Sequence, residues 1–364
     1  MRHGLQGYEG YEAARKTSGV RDRSDEGRLR VTGPDRAAWL QGLLTNDISA
    51  VKPGGGCYAA YLTPQGRMIS DVRVLERGDF MLLDVPAAQK AYVLERLTTF
   101  IIMEDVAVDD VTESLARVAV YGPGAAALLE RVVKVDDGTP LASLGEHAST
   151  VAQFGEDGGE SAPPLPSVHS APPAHPGHAV VIAGSRELGA DVAGFDVYCP
   201  RPVKDDLLRA LAAAGAEPIA DAAWHALRVE AGRPLFGVDM TTDTIPLEAG
   251  IEDRAISFTK GCYVGQEIII RVMHRGGGRV ARKLVGLTPV ASSAPATPDD
   301  TIAAETPLFS GEKSIGRITS AAWSPRVNQW IAMGYVQRDS AEPGTQIAIG
   351  QAGREAVVRA LPFE

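Results

Sequence analysis

The segment KGCYVGQE, residues 260–267, contains the residue type best suited to nucleophilic chemistry, a cysteine. Cys262 is one of only three cysteines among 364 residues. The run QEIIIRVMH that follows is compatible with a helix or a strand. If it is a helix, its N-terminal partial charge, aided by Lys260, favours the thiolate of Cys262. Free cysteines are also among the most buried residues, so a small core side chain is the alternative.

The other cysteines and the histidines offer no metal site. Cys57 and Cys199 lie in apolar, strand-like stretches, and we expect both in the core. Three widely spaced cysteines without a CxxC pair indicate neither a disulfide framework nor a zinc site, and they are too few for an iron–sulfur cluster. His225 and His274 lack a second ligand three or four residues away, so both are expected to be structural or exposed.

A predicted helix at residues 221–232, DAAWHALRVEAG, combines an aromatic ring with charged side chains. It carries Trp224, Arg228 and Glu230. Such a combination can line a pocket for a polar aromatic ligand, or it can straddle the edge of a core. The residues alone leave both interpretations open.

The composition is that of a globular protein of two or three domains. The chain has 45% hydrophobic residues and a net charge of -10, so direct binding of nucleic acid is not expected. Apolar runs are too short for a membrane helix, and the N-terminus lacks the apolar region of a secretion signal. These features predict a cytoplasmic protein without membrane contact. The basic stretch at 275–283 is interpreted as a solvated loop, with an anion contact as the alternative.

The hydrophobic pattern predicts mixed helices and strands that include hairpins, which favours an α+β fold. The expected helices are 34–45, 86–97, 124–133, 204–215 and 221–232. The expected strands are 57–63, 67–76, 80–86, 115–122, 178–184 and 194–199. From about residue 280, short β-like runs predict a small antiparallel barrel.

Two stretches rich in proline or small polar residues are expected to be loops. Residues 155–177 read as a flexible surface insertion with exposed, inert His169 and His175. Residues 291–300 would be a loop within the barrel. The predicted domains are an N-terminal α+β unit, a second α+β unit with this insertion and the cysteine motif, and the barrel; their ranges are 1–115, 116–279 and 280–364.

Several stretches together resemble one family. VTGPDRAAWLQGLLTNDI, GRMISDVRV, ALRVEAGRPLFGVDMTTDTIPLEAG and SIGRITSAAWSP resemble the family of the glycine-cleavage T-protein, an aminomethyltransferase, and its folate-binding relatives. The resemblance covers nearly the whole chain outside the insertion. It implies two interwoven ferredoxin-like α+β units and a small C-terminal antiparallel β-barrel, arranged as a ring around a folate.

Within that family, FTKGCYVGQE resembles the signature of the YgfZ branch. Members of that branch bind tetrahydrofolate and support the assembly or repair of iron–sulfur enzymes, including enzymes that methylthiolate tRNA. The resemblance implies that Cys262 is the functional thiol and that Lys260 tunes it. The other motif residues it marks are Gly261, Tyr263, Gly265, Gln266 and Glu267.

The resemblance also implies folate contacts. Trp224 matches a folate-contacting tryptophan, and stacking on a pterin ring is its physical rationale. Arg228, Glu230 and Asp196 would supply donors and acceptors for the polar pterin edge and the ligand's carboxylates.

The chain departs from the T-protein pattern at two positions. T-proteins carry an acidic residue near the start of the helix after the second hairpin strand, where it acts at a folate nitrogen; our register places Ala91 there. Asp84 precedes that position by one turn or more and is predicted to cap the helix that begins at Pro86. A second tryptophan near the folate of some relatives is replaced by Gly27. A missing carboxylate argues against glycine cleavage.

The sequence therefore predicts a tetrahydrofolate-binding protein for iron–sulfur cluster assembly or repair, with iron–sulfur client or assembly proteins as partners. We expect a monomer. One alternative is an aminomethyltransferase that works with a lipoyl-bearing carrier protein. Others are a non-catalytic folate-dependent chaperone or sensor and a folate-free scaffold. Whether the protein is an enzyme is left open.

Overall fold

A computed structural model describes residues 7–155, 178–274, 277–290, 301–351 and 353–363. The α-helices are α1 (Tyr11–Lys16), α2 (Arg36–Leu43), α3 (Lys90–Thr99), α4 (Ala125–Leu129), α5 (Lys204–Ala213), α6 (Asp221–Glu230), α7 (Pro246–Ala249), α8 (Glu252–Ala255) and α9 (Gln266–His274). The strands are β1 (Gly19–Asp22), β2 (Gly27–Thr32), β3 (Gly56–Leu62), β4 (Met68–Glu76), β5 (Phe80–Val85), β6 (Ala107–Asp110), β7 (Leu115–Tyr121), β8 (Val133–Val135), β9 (Ser149–Phe154), β10 (His178–Ser185), β11 (Gly194–Pro200), β12 (Glu217–Pro218), β13 (Arg282–Pro289), β14 (Pro307–Ser310), β15 (Lys313–Ser324), β16 (Gln329–Gln337), β17 (Gln346–Ile349) and β18 (Arg354–Arg359).

The first sheet has five antiparallel strands in the order β3-β4-β5-β2-β6. Helices α2 and α3 cover its outer face. The apolar pattern predicts that Trp39, Leu40, Leu43 and Leu44 share one face of this helix. All four are buried in this core, with Leu44 just after the end of α2. Because side chains alternate along a strand, the opposite face carries a different set, which includes Arg73 and Asp84.

The second sheet has seven strands in the order β12-β1-β7-β11-β10-β9-β8. Its outer face packs on α4 and α5. Strand β1 comes from the chain's N-terminal part, yet it pairs with β7 and β12 in this second sheet. The two α+β units are therefore interwoven, as the resemblance implied, while the domain boundaries at 115 and 279 stay predictions.

The C-terminal strands form a closed antiparallel barrel in the order β13-β16-β15-β14-β17-β18. The predicted barrel and the predicted fold class are thus confirmed. Helix α6 packs against it through a shared apolar cluster that contains Trp224, Leu227, Ala322 and Met333. Among the described residues, no helix is long and apolar enough to cross a membrane.

Three details of the secondary structure correct or limit the sequence-based expectation. The helix expected at 124–133 ends at Leu129, and the chain then forms β8, which pairs with β9. Short strands such as β1 and β6 were not predicted, because four residues carry too little periodicity. All of the predicted insertion 155–177 except its first residue, and the whole predicted loop 291–300, lie outside the described residues.

Candidate functional site

A cavity of about 360 Å³ lies between the inner faces of the two sheets. That volume is in the range of small-molecule pockets. Its wall contains Asp71, Arg73, Asp84, Arg117, Arg233 and Arg254. The first four come from strands β4, β5 and β7, and the last two come from the segment after α6 and from α8.

Strand alternation brings the pocket's charged groups together. Val72 and Val74 point into the core under α2 and α3, so Asp71 and Arg73 face the other way, toward the second sheet. Arg73 is paired across the strands with Asp84 of β5. At the pocket, the inner faces of β4 and β5 thus contribute charged rather than apolar side chains to the interface between the two sheets.

An ion cluster lies beneath the pocket. Arg117 donates from Nε to Oδ1 of Asp196 at 2.8 Å, and Arg73 donates from Nη1 to the other carboxylate oxygen. Asp196 is fully buried. Burial alone would raise its pKa, but the charges of Arg117 and Arg73 hold the pKa well below its usual value. Asp196 therefore holds two pocket arginines in place, and the folate contact that the resemblance implies for it stays a prediction.

Asp84 presents an unfilled acceptor to the pocket. Its Oδ2 accepts a hydrogen bond from the Tyr198 hydroxyl and lies 3.7 Å from Nη1 of Arg117. Its Oδ1 has no hydrogen-bond partner, although the residue is only 7% exposed. A buried acceptor left open costs free energy unless a ligand fills it. The prediction that Asp84 caps a helix is wrong, because no side-chain cap bond forms after Pro86.

Asp71 is the pocket group best placed for proton transfer. The Tyr58 hydroxyl donates to its Oδ2 at 2.8 Å. Burial raises the pKa of Asp71 to about 6. A carboxyl group with a pKa near the working pH can both take and give a proton, which is what general acid–base catalysis requires.

Two arginines at the pocket wall attract anions. The guanidinium of Arg254 lies 5.0 Å from the centre of the Tyr58 ring. Burial and the like charge of Arg254 lower the pKa of Arg233. Across the described ranges, neither guanidinium has a carboxylate oxygen within 4.0 Å. These two cations are therefore available to the carboxylates of a ligand.

The structure places Trp224 away from this pocket, in the packing between α6 and the rest of the chain. The guanidinium groups of Arg21 and Arg23 lie over its indole, 5.1 and 4.7 Å from the ring centre. Trp224 is 7% exposed. A pterin would have to displace these cations to stack there, so the predicted stacking stays a prediction.

Arg228 and Glu230 bind protein groups rather than facing the pocket. Arg228 pairs with Asp239 at 2.6 Å and donates to the Ser320 hydroxyl of the barrel at 2.7 Å. Glu230 accepts from the Tyr11 hydroxyl at 2.7 Å and borders a neighbouring cavity that shares Arg233 and Arg254. Their predicted ligand contacts stay predictions, while the observed contacts fasten α6 to the barrel and to α1.

Lys260 is held by backbone carbonyls. Its Nζ donates to the carbonyl oxygens of Gln41, Leu44 and Asn46, each at 2.7 Å. Burial lowers its pKa to about 8. All three donors of the ammonium group are thus used at the end of α2, and the predicted action on the Cys262 thiol stays a prediction.

The rest of the motif docks on the first sheet. Tyr263 is buried, and the Val264 amide donates to the Gly42 carbonyl at 3.1 Å. Gly265 has a φ of +84°. The helical alternative for QEIIIRVMH is confirmed, since α9 begins at Gln266, and its Glu267 pairs with Arg271 one turn on.

Gly261 and Cys262 lie on the outside of this docked segment. Cys262 is exposed and is not among the residues that line the pocket. A side chain at Gly261 would meet open space. The predicted roles of both residues stay predictions.

Sequence reasoning missed most of the residues that line the pocket. These are Tyr58, Asp71, Arg73, Arg117, Arg233 and Arg254. One signal was present in GRMISDVRV, where Asp71 and Arg73 alternate with Val72 and Val74 in a strand pattern. When one face of a strand is apolar and buried and the other face repeats charged residues, the charged face is expected to form a polar interface.

Comparisons with known proteins agree along the chain. Residues 8–148 match the GCVT N-terminal domain, and residues 282–363 match the glycine cleavage T-protein C-terminal barrel domain. An aminomethyltransferase of Rubrobacter xylanophilus is 31% identical over 97% of this chain and 85% of its own length. One of Moorella thermoacetica is 30% identical over 98% of this chain and 88% of its own.

A solved structure shows the same fold. The glycine cleavage system aminomethyltransferase T from Bartonella henselae superposes with a TM-score of 0.78 at 23% identity, covering 99% of this chain and 89% of that one.

These comparisons correct the main functional expectation. The predicted role in iron–sulfur cluster assembly or repair, and with it tRNA modification, is wrong, since relatives matching nearly the full chain are named aminomethyltransferase. The motif resemblance that carried the expectation spans only ten residues. The relatives favour the alternative given in the sequence analysis, an aminomethyltransferase.

Proposed function

We propose that this chain, which belongs to the glycine cleavage T-protein family, is an aminomethyltransferase that uses tetrahydrofolate as the one-carbon acceptor. The relatives named for this activity match 97–98% of the chain. The observation that carries the proposal is the cavity wall, in which Asp71, hydrogen-bonded to the Tyr58 hydroxyl, lies together with the open Oδ1 acceptor of Asp84. A lipoyl-bearing carrier protein is the proposed partner, and the chain is proposed to act as a monomer.

The pocket's chemistry suits a reduced folate. Such a molecule has a flat ring with N–H donors and a glutamate tail with carboxylates. The free Oδ1 of Asp84 would accept one ring N–H. Arg233 and Arg254 would pair with the tail carboxylates. The donors and acceptors left open by the protein are thus the ones this ligand would fill.

Asp71 would handle the protons of the transfer. The incoming carbon bonds two folate nitrogens, each of which loses a proton. Its bonds to the amine nitrogen and to the lipoyl sulfur both break, so one proton leaves with ammonia and the other with the lipoyl thiol. A carboxylate that takes the first proton can return it to the departing nitrogen. Tyr58 holds Asp71 in place by its hydrogen bond, which is consistent with this role.

The missing acidic side chain at position 91 does not exclude aminomethyl transfer in this pocket. Ala91 is an exposed residue in the first turn of α3 and does not line the cavity. The carboxylate in the pocket comes from β4 instead. An acidic side chain at position 91 is therefore not needed to supply a proton carrier.

We also propose that the KGCYVGQE segment, which resembles the YgfZ signature, marks a branch within the family and not a separate chemistry. Its support is the docking of Lys260 and Val264 on α2 and its carboxyl end. The segment joins α9 to the first sheet.

The test is a reconstituted assay with an aminomethyl-loaded lipoyl carrier protein and tetrahydrofolate, with methylenetetrahydrofolate as the measured product. We expect product with the wild type and a loss in kcat of about 10²-fold or more for Asp71→Asn. Asp243→Asn is the matched control, since Asp243 is 83% exposed and pairs with Arg67 on the surface. No product from the wild type, or full activity of Asp71→Asn, would contradict the proposal.

A further inference from the structure

A separate cavity, of about 470 Å³, lies at the apolar end of the interface between the sheets. Phe80 and Leu82 of β5 face Leu115 of β7 and Val181 of β10 across it. Each of these four side chains is less than 10% exposed. The space is large enough for a small molecule, and its walls are mostly apolar.

Arg77 is a buried cation in the wall of this cavity. It sits in the turn between β4 and β5 and is 6% exposed. Its Nη1 donates to the Ser149 hydroxyl at 2.5 Å, but its Nε has no hydrogen-bond partner. A buried donor without a partner costs free energy, and a buried charge costs more.

The charge of Arg77 is not neutralised by the protein. In the part of the chain that the structure describes, no carboxylate lies within 4.0 Å of its guanidinium. Glu76 is the carboxylate that acts on Arg77 electrostatically, and it already pairs with Arg36 at 3.1 Å. Burial accordingly lowers the pKa of Arg77.

Two further arginines make the cavity electropositive. Arg201 donates to the backbone carbonyls of Ser24 and Thr112 and, like Arg77, has no ion pair among the described residues. Arg30 pairs with Asp109, and its Nε is buried without a partner. The acidic side chain in the wall, Glu113, is exposed. The walls therefore hold more positive than negative charge.

We propose that this cavity binds a small amphipathic carboxylate, with its apolar body between the two sheets and its carboxylate on Arg77. An anion would fill the open Nε donor and neutralise the buried charge, and an apolar chain would cover the four side chains that face the space. A planar guanidinium matches a carboxylate better than it matches a neutral hydroxyl.

This site is distinct from the folate pocket. Tyr198 stands between them: it lines the apolar cavity, while its hydroxyl donates to Asp84 on the other side. Occupation of the cavity can therefore be measured without folate or carrier protein, and the inference does not rest on the proposed aminomethyl transfer.

Calorimetric titration of the full chain with octanoate and with 1-octanol tests the proposal. The two probes share an apolar chain and differ in charge. We expect octanoate to bind at least about tenfold more tightly, since hydrogen bonds to charged groups are the stronger class. Equal affinity for the two probes, or no octanoate binding at millimolar concentration, would overturn the proposal.

Variants locate the binding. Arg77→Met keeps an unbranched apolar stem at this position and removes the guanidinium, and it should weaken octanoate binding by about tenfold or more while leaving 1-octanol binding unchanged. Arg209→Met is the control, because Arg209 is 77% exposed on α5. Octanoate binding that is the same in Arg77→Met and wild type would refute the assignment.

A measurement on the wild type keeps the proposal testable if Arg77→Met does not fold. Crystals soaked in 8-bromooctanoate should show the bromine signal between Phe80 and Val181. A bromine signal only in the folate pocket or only on the surface would overturn the proposal.

Discussion

The pocket and the docked motif differ in how their polar groups are used. In the motif, Lys260 gives all three of its donors to backbone carbonyls, and Cys262 faces solvent. In the pocket, Asp84 keeps a buried oxygen without a partner, and Arg233 and Arg254 lack carboxylate neighbours in the described ranges. Groups bound within the protein hold the structure together, whereas the open acceptor of Asp84 and the two arginines without a carboxylate share one cavity wall and suit a ligand.

A conspicuous motif and a chemical site thus need not coincide. The motif is contiguous in sequence, so it is easily noticed. The pocket's groups are dispersed over the chain, as the 123-residue separation of Arg73 and Asp196 shows. The comparison predicts that changes in the motif act on stability and changes in the pocket act on turnover.

The largest effect on stability is expected at Gly265. Its φ is +84°, and an added Cβ would lie 2.5 Å from the Thr63 carbonyl oxygen. Gly265→Ala should lower the free energy of unfolding by about 3 kcal/mol, measured by urea denaturation. Gly261→Ala is the control, because no atom lies within 4 Å of its added Cβ. Equal stability of the two variants would show that the segment is not docked as described.

Lys260→Met should cost about 2 kcal/mol, because three carbonyl oxygens at the end of α2 lose a charged donor. Thermal and urea denaturation would both report it. Lys313→Met, at an exposed position on β15, should change stability little. A Lys260→Met protein as stable as the wild type would argue that the lysine is free to act elsewhere.

The pocket carboxyl group should be visible in the pH dependence of stability. The folded pKa of Asp71 lies above its usual 3.8, at about 6, so the folded state holds the proton more tightly than the unfolded state. Its contribution to stability therefore falls as pH rises through this window. The free energy of unfolding of Asp71→Asn should therefore rise relative to that of the wild type, by on the order of 2 kcal/mol, from the acid side to the neutral side of this pH window. A pH-independent difference between the two proteins would mean that Asp71 titrates normally.

The smallest effect is expected at Cys262. Its side chain is exposed and lies outside the pocket wall. Cys262→Ser should change the free energy of unfolding by less than about 0.5 kcal/mol and leave methylenetetrahydrofolate formation as in the wild type. A Cys262→Ser protein that folds normally but has lost most of its activity would contradict this prediction and indicate that the thiol takes part in the reaction.

Local patterns in the sequence were enough to predict the secondary structure of the long elements and the fold class. Periodic apolar residues placed the buried face of α2, and short alternating runs predicted the barrel, because each pattern follows from the geometry of its own element. The stretches quoted for the resemblance also identified the T-protein family, which the family comparisons show.

Which polar residues come into contact depends on how the two sheets pack, and no local pattern predicts it. Alternation puts Asp71 and Arg73 on the inner face of β4, but it does not tell which strand lies opposite. The burial that raises the pKa of Asp71 exists only once both sheets are packed. Trp224 lies under the guanidinium groups of Arg21 and Arg23, and Arg228 pairs with Asp239, contacts that no local pattern predicts. Burial and charge pairing depend on partners distant in the chain, and local sequence patterns do not encode them.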